Sequence, residues 1–166
     1  LSEKISVVHN GIIENYADLK RFLMDNDYKF LSETDTEVIP NLISYYYEQE
    51  NDLLKAVSLT CKDLEGSYAI EVLCEYEPNK MIVAKKDSPL VIGTSKEANY
   101  IASDIPAVLS YTKDFYLLED NEIVEVYPDK LKFYDINLTS INKKIETITW
   151  DASAIEKNGY EDYMIA

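Results

Sequence analysis

The segment Val7-Val8-His9-Asn10-Gly11-Ile12-Ile13-Glu14-Asn15-Tyr16 decides how this chain is interpreted. It predicts a short apolar strand that reaches Asn10-Gly11 and then enters a helix with Asn15 as its N-cap. Asn-Gly is a strong hairpin signal, but no returning strand follows here. Such a junction presents a side-chain amide and an unhindered backbone N–H to one point, as an oxyanion hole requires. The alternative is a loop in which Gly11 only supplies a positive φ angle.

Length and charge limit the remaining possibilities. The chain has 166 residues and a formal net charge of −15, which predicts one domain over residues 1–166 and opposes binding to nucleic acid or anionic membranes. No apolar run reaches the length of a membrane span, and the first residues lack a signal-peptide core. Two cysteines are too few for a disulfide framework. We therefore expect a cytoplasmic protein with no internal domain boundary.

Hydrophobic periodicity predicts helices first and strands afterwards. Helices are expected over residues 15–26, 34–50 and 52–64, and Thr34 and Glu37 have capping-box spacing. Pro40 predicts a kink or an irregular opening turn in the second helix. Beyond Gly66 the period changes to two and predicts strands. These are expected at residues 68–76, 81–84, 90–93, 100–102, 115–118, 123–126, 131–134 and 145–149, with a helical turn at 105–109 and a last short helix over 151–159. The predicted fold class is α+β.

Two further motifs accompany the first one. Ser32-Glu33-Thr34-Asp35-Thr36-Glu37-Val38-Ile39 opens the second helix, and Ser88-Pro89-Leu90-Val91-Ile92-Gly93 precedes Asn99-Tyr100-Ile101-Ala102-Ser103-Asp104. In this order, together with His9-Asn10-Gly11, they resemble the glutaminase domains of the glutamine–fructose-6-phosphate aminotransferases, a family of class II glutamine amidotransferases. The resemblance extends from about Val7 to Met164.

The resemblance implies a fold, a reaction and partners. The fold is the four-layer αββα sandwich of the N-terminal-nucleophile hydrolases, here without its first strands. The reaction is hydrolysis of glutamine to glutamate and ammonia. The ammonia is transferred to fructose 6-phosphate, bound by domains outside this chain, to give glucosamine 6-phosphate. No cofactor is implied, and we expect a homodimer.

The resemblance also assigns site residues. Asn10 and Gly11 form the oxyanion hole, Gly11 also contacts substrate, and Asp35 binds the α-ammonium group of glutamine. The family's nucleophile is a Cys at the mature N-terminus, followed by an Arg-containing segment. Because this chain begins with Leu1, both are expected to be absent and the chain to be inactive alone.

Each of these residues also has a structural interpretation. A carboxylate such as Asp35 in the first turn of a helix favours the helix dipole without any ligand. His9, the only histidine, is expected to support the loop more than to act as a base. Cys61 and Cys74 fall on predicted apolar faces, where buried thiols are inert.

Metal binding has no support in the spacing of histidine, cysteine and carboxylate residues. Three interpretations remain for the function. The first is part of the fructose-6-phosphate-dependent enzyme, and the second is the glutaminase domain of another class II amidotransferase. The third is a non-catalytic ligand-binding or assembly module.

Overall fold

A computed structural model describes residues 4–31 and 37–148 of the chain. Helices and antiparallel sheets coexist in it, which confirms the predicted α+β class. The helices are α1 (Tyr16–Asp25), α2 (Val38–Glu50), α3 (Leu53–Asp63) and α4 (Ile105–Leu109). The strands are β1 (Ile5–Ile13), β2 (Gly66–Cys74), β3 (Met81–Lys86), β4 (Val91–Thr94), β5 (Asn99–Ala102), β6 (Asp114–Leu117), β7 (Ile123–Val126), β8 (Leu131–Tyr134), β9 (Ser140–Ile141) and β10 (Glu146–Thr147).

The strands form two sheets among the described residues. One sheet has six strands in the order β1-β2-β3-β7-β8-β9, and the other has four in the order β10-β6-β4-β5. Every pairing within them is antiparallel. The predicted strands are confirmed with small shifts of their ends, whereas β9 was not predicted. The predicted helix over 151–159 lies outside the described residues.

The first strand corrects the interpretation of the opening segment. β1 does not end at Asn10-Gly11 but continues to Ile13, paired with β2 from Ile5 opposite Cys74 to Ile13 opposite Gly66. The returning strand therefore exists, although it comes after three helices. The junction with α1 lies at residues 14–15 instead. A local hairpin rule could not find a partner so distant in sequence.

The second helix corrects the expectation at Pro40. Among the described residues α2 begins at Val38, so Pro40 lies in its first turn, where a missing N–H leaves no helical bond unmade. Pro40 at this position therefore requires no kink, and the residues directly before Glu37, where an irregular opening turn would lie, are outside the described part of the chain. The third helix is confirmed, and the Asp52 side chain caps it by accepting a hydrogen bond from the Lys55 backbone N–H at 3.3 Å.

The described residues group into two compact units. The first runs to Ser88 and includes Glu119–Ile141, so it contains α1–α3 and the six-stranded sheet. Its core joins apolar residues of the helices, such as Leu42 and Val57, to Ile70 and Ile82 of the sheet. The prediction of one domain over residues 1–166 stays a prediction.

The second unit comprises Pro89–Leu118 and the described residues from Asn142 onward. It contains the four-stranded sheet and α4, whose N-terminus is capped by Asp104 accepting from the Ala107 N–H at 2.9 Å. Gly93 permits close packing here, because a Cβ atom at this position would overlap the Val108 side chain. Gly93, the last residue of the Ser88–Gly93 motif, thus has a packing function within the second unit.

Candidate active site

Asn10 lies on the open face of the edge strand β1. Side chains alternate along a strand, and those of Val8, Asn10 and Ile12 share one face, while Ile5 and Ile13 are buried on the other. Val8 is 63% exposed and Ile12 is 67% exposed. Among the described residues, none forms a hydrogen bond with the Asn10 side chain. Its amide is therefore available to a ligand on this face.

Gly11 is required by both its backbone angle and its surroundings. Its φ angle is +117°, and a Cβ atom there would overlap the Ser67 carbonyl oxygen of the paired strand. Gly66 also has a φ of +117°, and its Cβ atom would overlap the Ile12 carbonyl oxygen. The two strands thus approach each other closely at this end of the ladder, where a side chain at position 11 has no room.

His9 lies on the opposite side of β1 from Asn10. It pairs with Ile70, which belongs to the core beneath the helices, and its side chain is half-buried. Strand alternation therefore directs the imidazole away from the face that presents the Asn10 amide. This placement favours structural support by His9 over general-base catalysis.

Asn15 occupies the N-cap position of α1, but its side chain does not cap the helix. Instead its amide nitrogen donates to the Asp63 carbonyl at 2.7 Å, and its amide oxygen accepts from the Glu65 N–H at 3.0 Å. A third hydrogen bond runs from the Glu14 N–H to the Glu65 carbonyl at 2.8 Å. The start of α1 is thereby fixed to the connection between α3 and β2, directly beyond the end of β1.

Asp35 lies outside the described residues, as do Thr34 and Thr36. On either side of them, the Glu37 carboxylate accepts from the Leu31 N–H at 2.9 Å. Leu31 and Glu37 therefore lie close together.

Neither cysteine has the environment of a nucleophile. Cys61 and Cys74 are free thiols and both are buried. Burial raises the pKa of the Cys61 thiol to about 12, so almost none of it is thiolate at neutral pH.

One ion pair near this site was not predicted from the sequence. Lys85 of β3 is only 9% exposed, and its Nζ atom lies 2.6 Å from the Asp120 carboxylate. The alternation of β3, which places Lys85 among apolar residues, was the one signal that could have indicated a buried cation.

Two concave pockets lie away from Asn10. One of about 630 Å³ is lined by Tyr47, Glu48, Asn51, Tyr76 and Glu77, and another of about 510 Å³ lies along α1. Neither includes Asn10 or Gly11. The described residues contain no group of three or more potential metal ligands, and none of their helices is long and apolar enough to cross a membrane.

Solved structures with the same fold define the class of protein. A glutamine phosphoribosylpyrophosphate amidotransferase from B. subtilis, complexed with ADP and GMP, matches 82% of this chain and 30% of its own with a TM-score of 0.69 and 24% identity. A structure described as the allosteric regulatory enzyme of purine biosynthesis matches 81% of this chain and 29% of its own with a TM-score of 0.67 and 26% identity. The fold is that of the N-terminal-nucleophile amidotransferases.

The sequence comparisons narrow this class to a family. The family model of the glutamine amidotransferase domain matches residues 1–110, and the chain belongs to that family. Its relatives include the glutamine–fructose-6-phosphate aminotransferases (isomerizing) of Clostridium tetani, with 53% identity over 97% of this chain, and of Aquifex aeolicus, with 44% identity over 98%. The chain spans 26% and 27% of the lengths of these two relatives.

Proposed function

We propose that this chain forms the larger part of the glutaminase site of a glutamine–fructose-6-phosphate aminotransferase. The site hydrolyses glutamine to glutamate and ammonia, and the ammonia converts fructose 6-phosphate to glucosamine 6-phosphate. The sugar phosphate binds to domains beyond these 166 residues. The 53% identity to the clostridial enzyme favours this proposal over another class II amidotransferase or a non-catalytic module.

The observation that carries the proposal is the pairing of an exposed Asn10 with a side-chain-free Gly11 on the same strand. When a thiolate attacks the γ-carboxamide of glutamine, negative charge develops on the carboxamide oxygen. The Asn10 amide and the Gly11 backbone N–H are the two neutral donors for this oxygen. Because a β-sheet holds them in place before the reaction, little free energy is spent on arranging them.

The remaining roles follow from the family resemblance. Asp35 binds the α-ammonium group of glutamine, which fixes the substrate end remote from the reacting carboxamide. The attacking cysteine is neither Cys61 nor Cys74, because both are buried, so we place the nucleophile outside these residues. His9 supports the strand. We propose that the assembled enzyme is a homodimer and needs no cofactor for glutamine hydrolysis.

The proposal is tested by replacing Asn10 with Ala in the full-length enzyme. Since this amide acts only on the developing oxyanion, we expect kcat for glutamine hydrolysis to fall roughly a hundredfold or more. The KM for glutamine should change little. Val8→Ala is the matched control, because Val8 is exposed on the same strand and face. An Asn10→Ala enzyme with wild-type kcat would refute the oxyanion-hole assignment.

A further inference from the structure

Three contacts join the end of β3 to the turn that precedes β7. The Lys85 Nζ atom lies 2.6 Å from an Asp120 carboxylate oxygen, and the Asp87 N–H donates to the same oxygen at 2.9 Å. The Asn121 N–H donates to the Lys85 carbonyl at 3.0 Å. We call Lys85, Asp87, Asp120 and Asn121 the β3-end cluster.

The register places this cluster beside the proposed oxyanion hole. Asn10 is opposite Ala69 on β2, and Ala69 is opposite Lys85 on β3. Directly opposed residues of antiparallel strands share a face, so Lys85 and Asn10 leave the sheet on the same side. The preceding residue of β2, Tyr68, is opposite Gly11 and forms a bridge with Asp87. Both residues of the oxyanion hole are therefore in register with the cluster.

The regular pairing of the sheet ends at this point. The ladder between β2 and β3 finishes at the pair Ala69–Lys85, whereas β1 and β2 continue for three more pairs to Ile13–Gly66. Among the described residues, β1 is an edge strand held in the sheet by β2 alone. On the N-terminal side of Ala69, β2 is connected to the rest of the sheet through Tyr68 and the β3-end cluster.

The charged pair in the cluster is well suited to holding a fixed geometry. The Lys85 ammonium and the hydrogen bond from the Asp87 backbone N–H hold the pKa of Asp120 well below its usual value, at about 2. The Asp120 carboxylate therefore stays charged throughout the physiological pH range. Removing either partner leaves a charge without its counterion, and for Lys85 that charge is buried.

We propose that the β3-end cluster is a positioning element for glutamine hydrolysis, with Lys85 and Asp120 as positioning residues. By fixing Tyr68 and Ala69, it holds Asn10 and Gly11 at the distance that the developing oxyanion requires. This inference rests on the proposed function of Asn10 and Gly11. Donors displaced by a fraction of an ångström lose much of their effect on the transition state.

The test compares Asp120→Ala, Asp120→Asn and Asp120→Glu in the full-length enzyme, with kcat normalised to the folded fraction. We expect Asp120→Ala to lower kcat for glutamine hydrolysis roughly tenfold or more, while KM changes less than about twofold. Asp120→Asn keeps an acceptor for the Asp87 N–H, so its kcat should fall less than that of Asp120→Ala. Asp120→Glu keeps the charge and should therefore recover part of the wild-type kcat.

The matched control is Glu75→Gln, which breaks the exposed pair with Lys4 at the far end of β1 and β2. It should leave kcat and KM unchanged. Wild-type kcat in Asp120→Ala would overturn the inference, and if that variant does not fold, wild-type kcat in Asp120→Asn would do so. Asn10→Ala is measured in parallel. If it retains activity the proposed function fails, whereas loss in Asn10→Ala alone refutes only the positioning role.

Discussion

Gly11 shows how one residue can serve both the fold and the proposed site. Its positive φ angle and its closeness to Ser67 follow from the pairing of β1 with β2, and the proposed site uses the backbone N–H of the same residue. The residue type was predicted to matter from Asn-Gly alone. Its position inside a strand was not predicted, because the constraint comes from residues more than fifty positions away.

We expect Gly11→Ala to destabilise the fold. The φ angle of +117° alone costs a residue with a side chain about 1–3 kcal/mol, and the overlap with the Ser67 carbonyl adds to this. Urea unfolding followed by circular dichroism measures the loss. Ile12→Ala is the control, since Ile12 is 67% exposed and should shift the unfolding free energy by less than about 0.5 kcal/mol. Equal stability of the two variants would show that β2 can move away from position 11.

Substitution of Asp35 should change the kinetics of glutamine hydrolysis differently from substitution of Asn10. A carboxylate that holds the α-ammonium group acts in the ground state and the transition state alike, so Asp35→Asn in the full-length enzyme should raise KM for glutamine and lower kcat much less. Asp52→Asn is the matched control, because Asp52 caps α3 and should affect stability alone. If Asp35→Asn lowered only the melting temperature and left KM unchanged, Asp35 would be a helix cap, like Asp52, and would not bind substrate.

At the scale of elements, a partly buried charged network connects the six-stranded sheet to the helices. The Lys80 Nζ atom lies 2.7 Å from Glu125 and 3.1 Å from Glu77. The Tyr134 hydroxyl donates to Glu125 at 2.7 Å, and Glu77 accepts from the Leu53 N–H at 2.9 Å, at the first residue of α3. Each carboxylate thus has more than one partner, as buried charges require.

We expect Lys80→Met to destabilise the protein by about 3–5 kcal/mol, because it leaves the Glu125 carboxylate buried without its counterion. Lys4→Met is the control, since the Lys4–Glu75 pair is exposed on both sides and should contribute less than about 1 kcal/mol. Chemical unfolding at neutral pH measures both differences. A loss in Lys80→Met no larger than in Lys4→Met would mean that Glu125 is well hydrated.

The same network predicts a pH dependence. Burial works to raise the pKa of Glu125, but Lys80 and Tyr134 outweigh it, so the pKa lies below its ordinary value of 4.5. A lowered pKa stabilises the fold above pH 4.5, and that stabilisation is lost as the pH falls through the folded-state pKa. The difference in unfolding free energy between wild type and Lys80→Met should therefore narrow below pH 4.5. A difference that stayed constant from pH 7 to pH 3.5 would contradict this.

At the scale of the whole molecule, sequence patterns predicted the bounds of helices and strands better than they predicted which strands pair. The bounds of β7 and β8 follow directly from alternating apolar residues, and α3 follows from its apolar stripe and the Asp52 cap. The continuation of β1 through Asn10-Gly11 and the Lys85–Asp120 pair could not be predicted in this way. Both depend on which strands become neighbours, and that is decided by burial across the whole sheet rather than by nearby residues.

The open edge of β1 predicts association between copies of a polypeptide made of these 166 residues. In the described part of the chain, β1 pairs on one side only, and Val8 and Ile12 are exposed beside that edge. Unpaired backbone groups next to apolar side chains favour pairing with another strand. Sedimentation velocity over a hundredfold concentration range should show a rising average mass. Val8→Lys should reduce this rise in mass. A monomer at every concentration would refute the prediction.

A polypeptide of these 166 residues should not release ammonia from glutamine. Its two thiols are Cys61 and Cys74, and both are buried, which keeps them from substrate. Burial also raises the pKa of Cys61 to about 12, so this thiol supplies no reactive thiolate at neutral pH. An oxyanion hole without a nucleophile has no tetrahedral intermediate to stabilise. A coupled glutamate dehydrogenase assay, with a full-length aminotransferase as positive control, measures the release. Ammonia formation above the buffer rate that Asn10→Ala abolishes would show that the chain contains its own nucleophile.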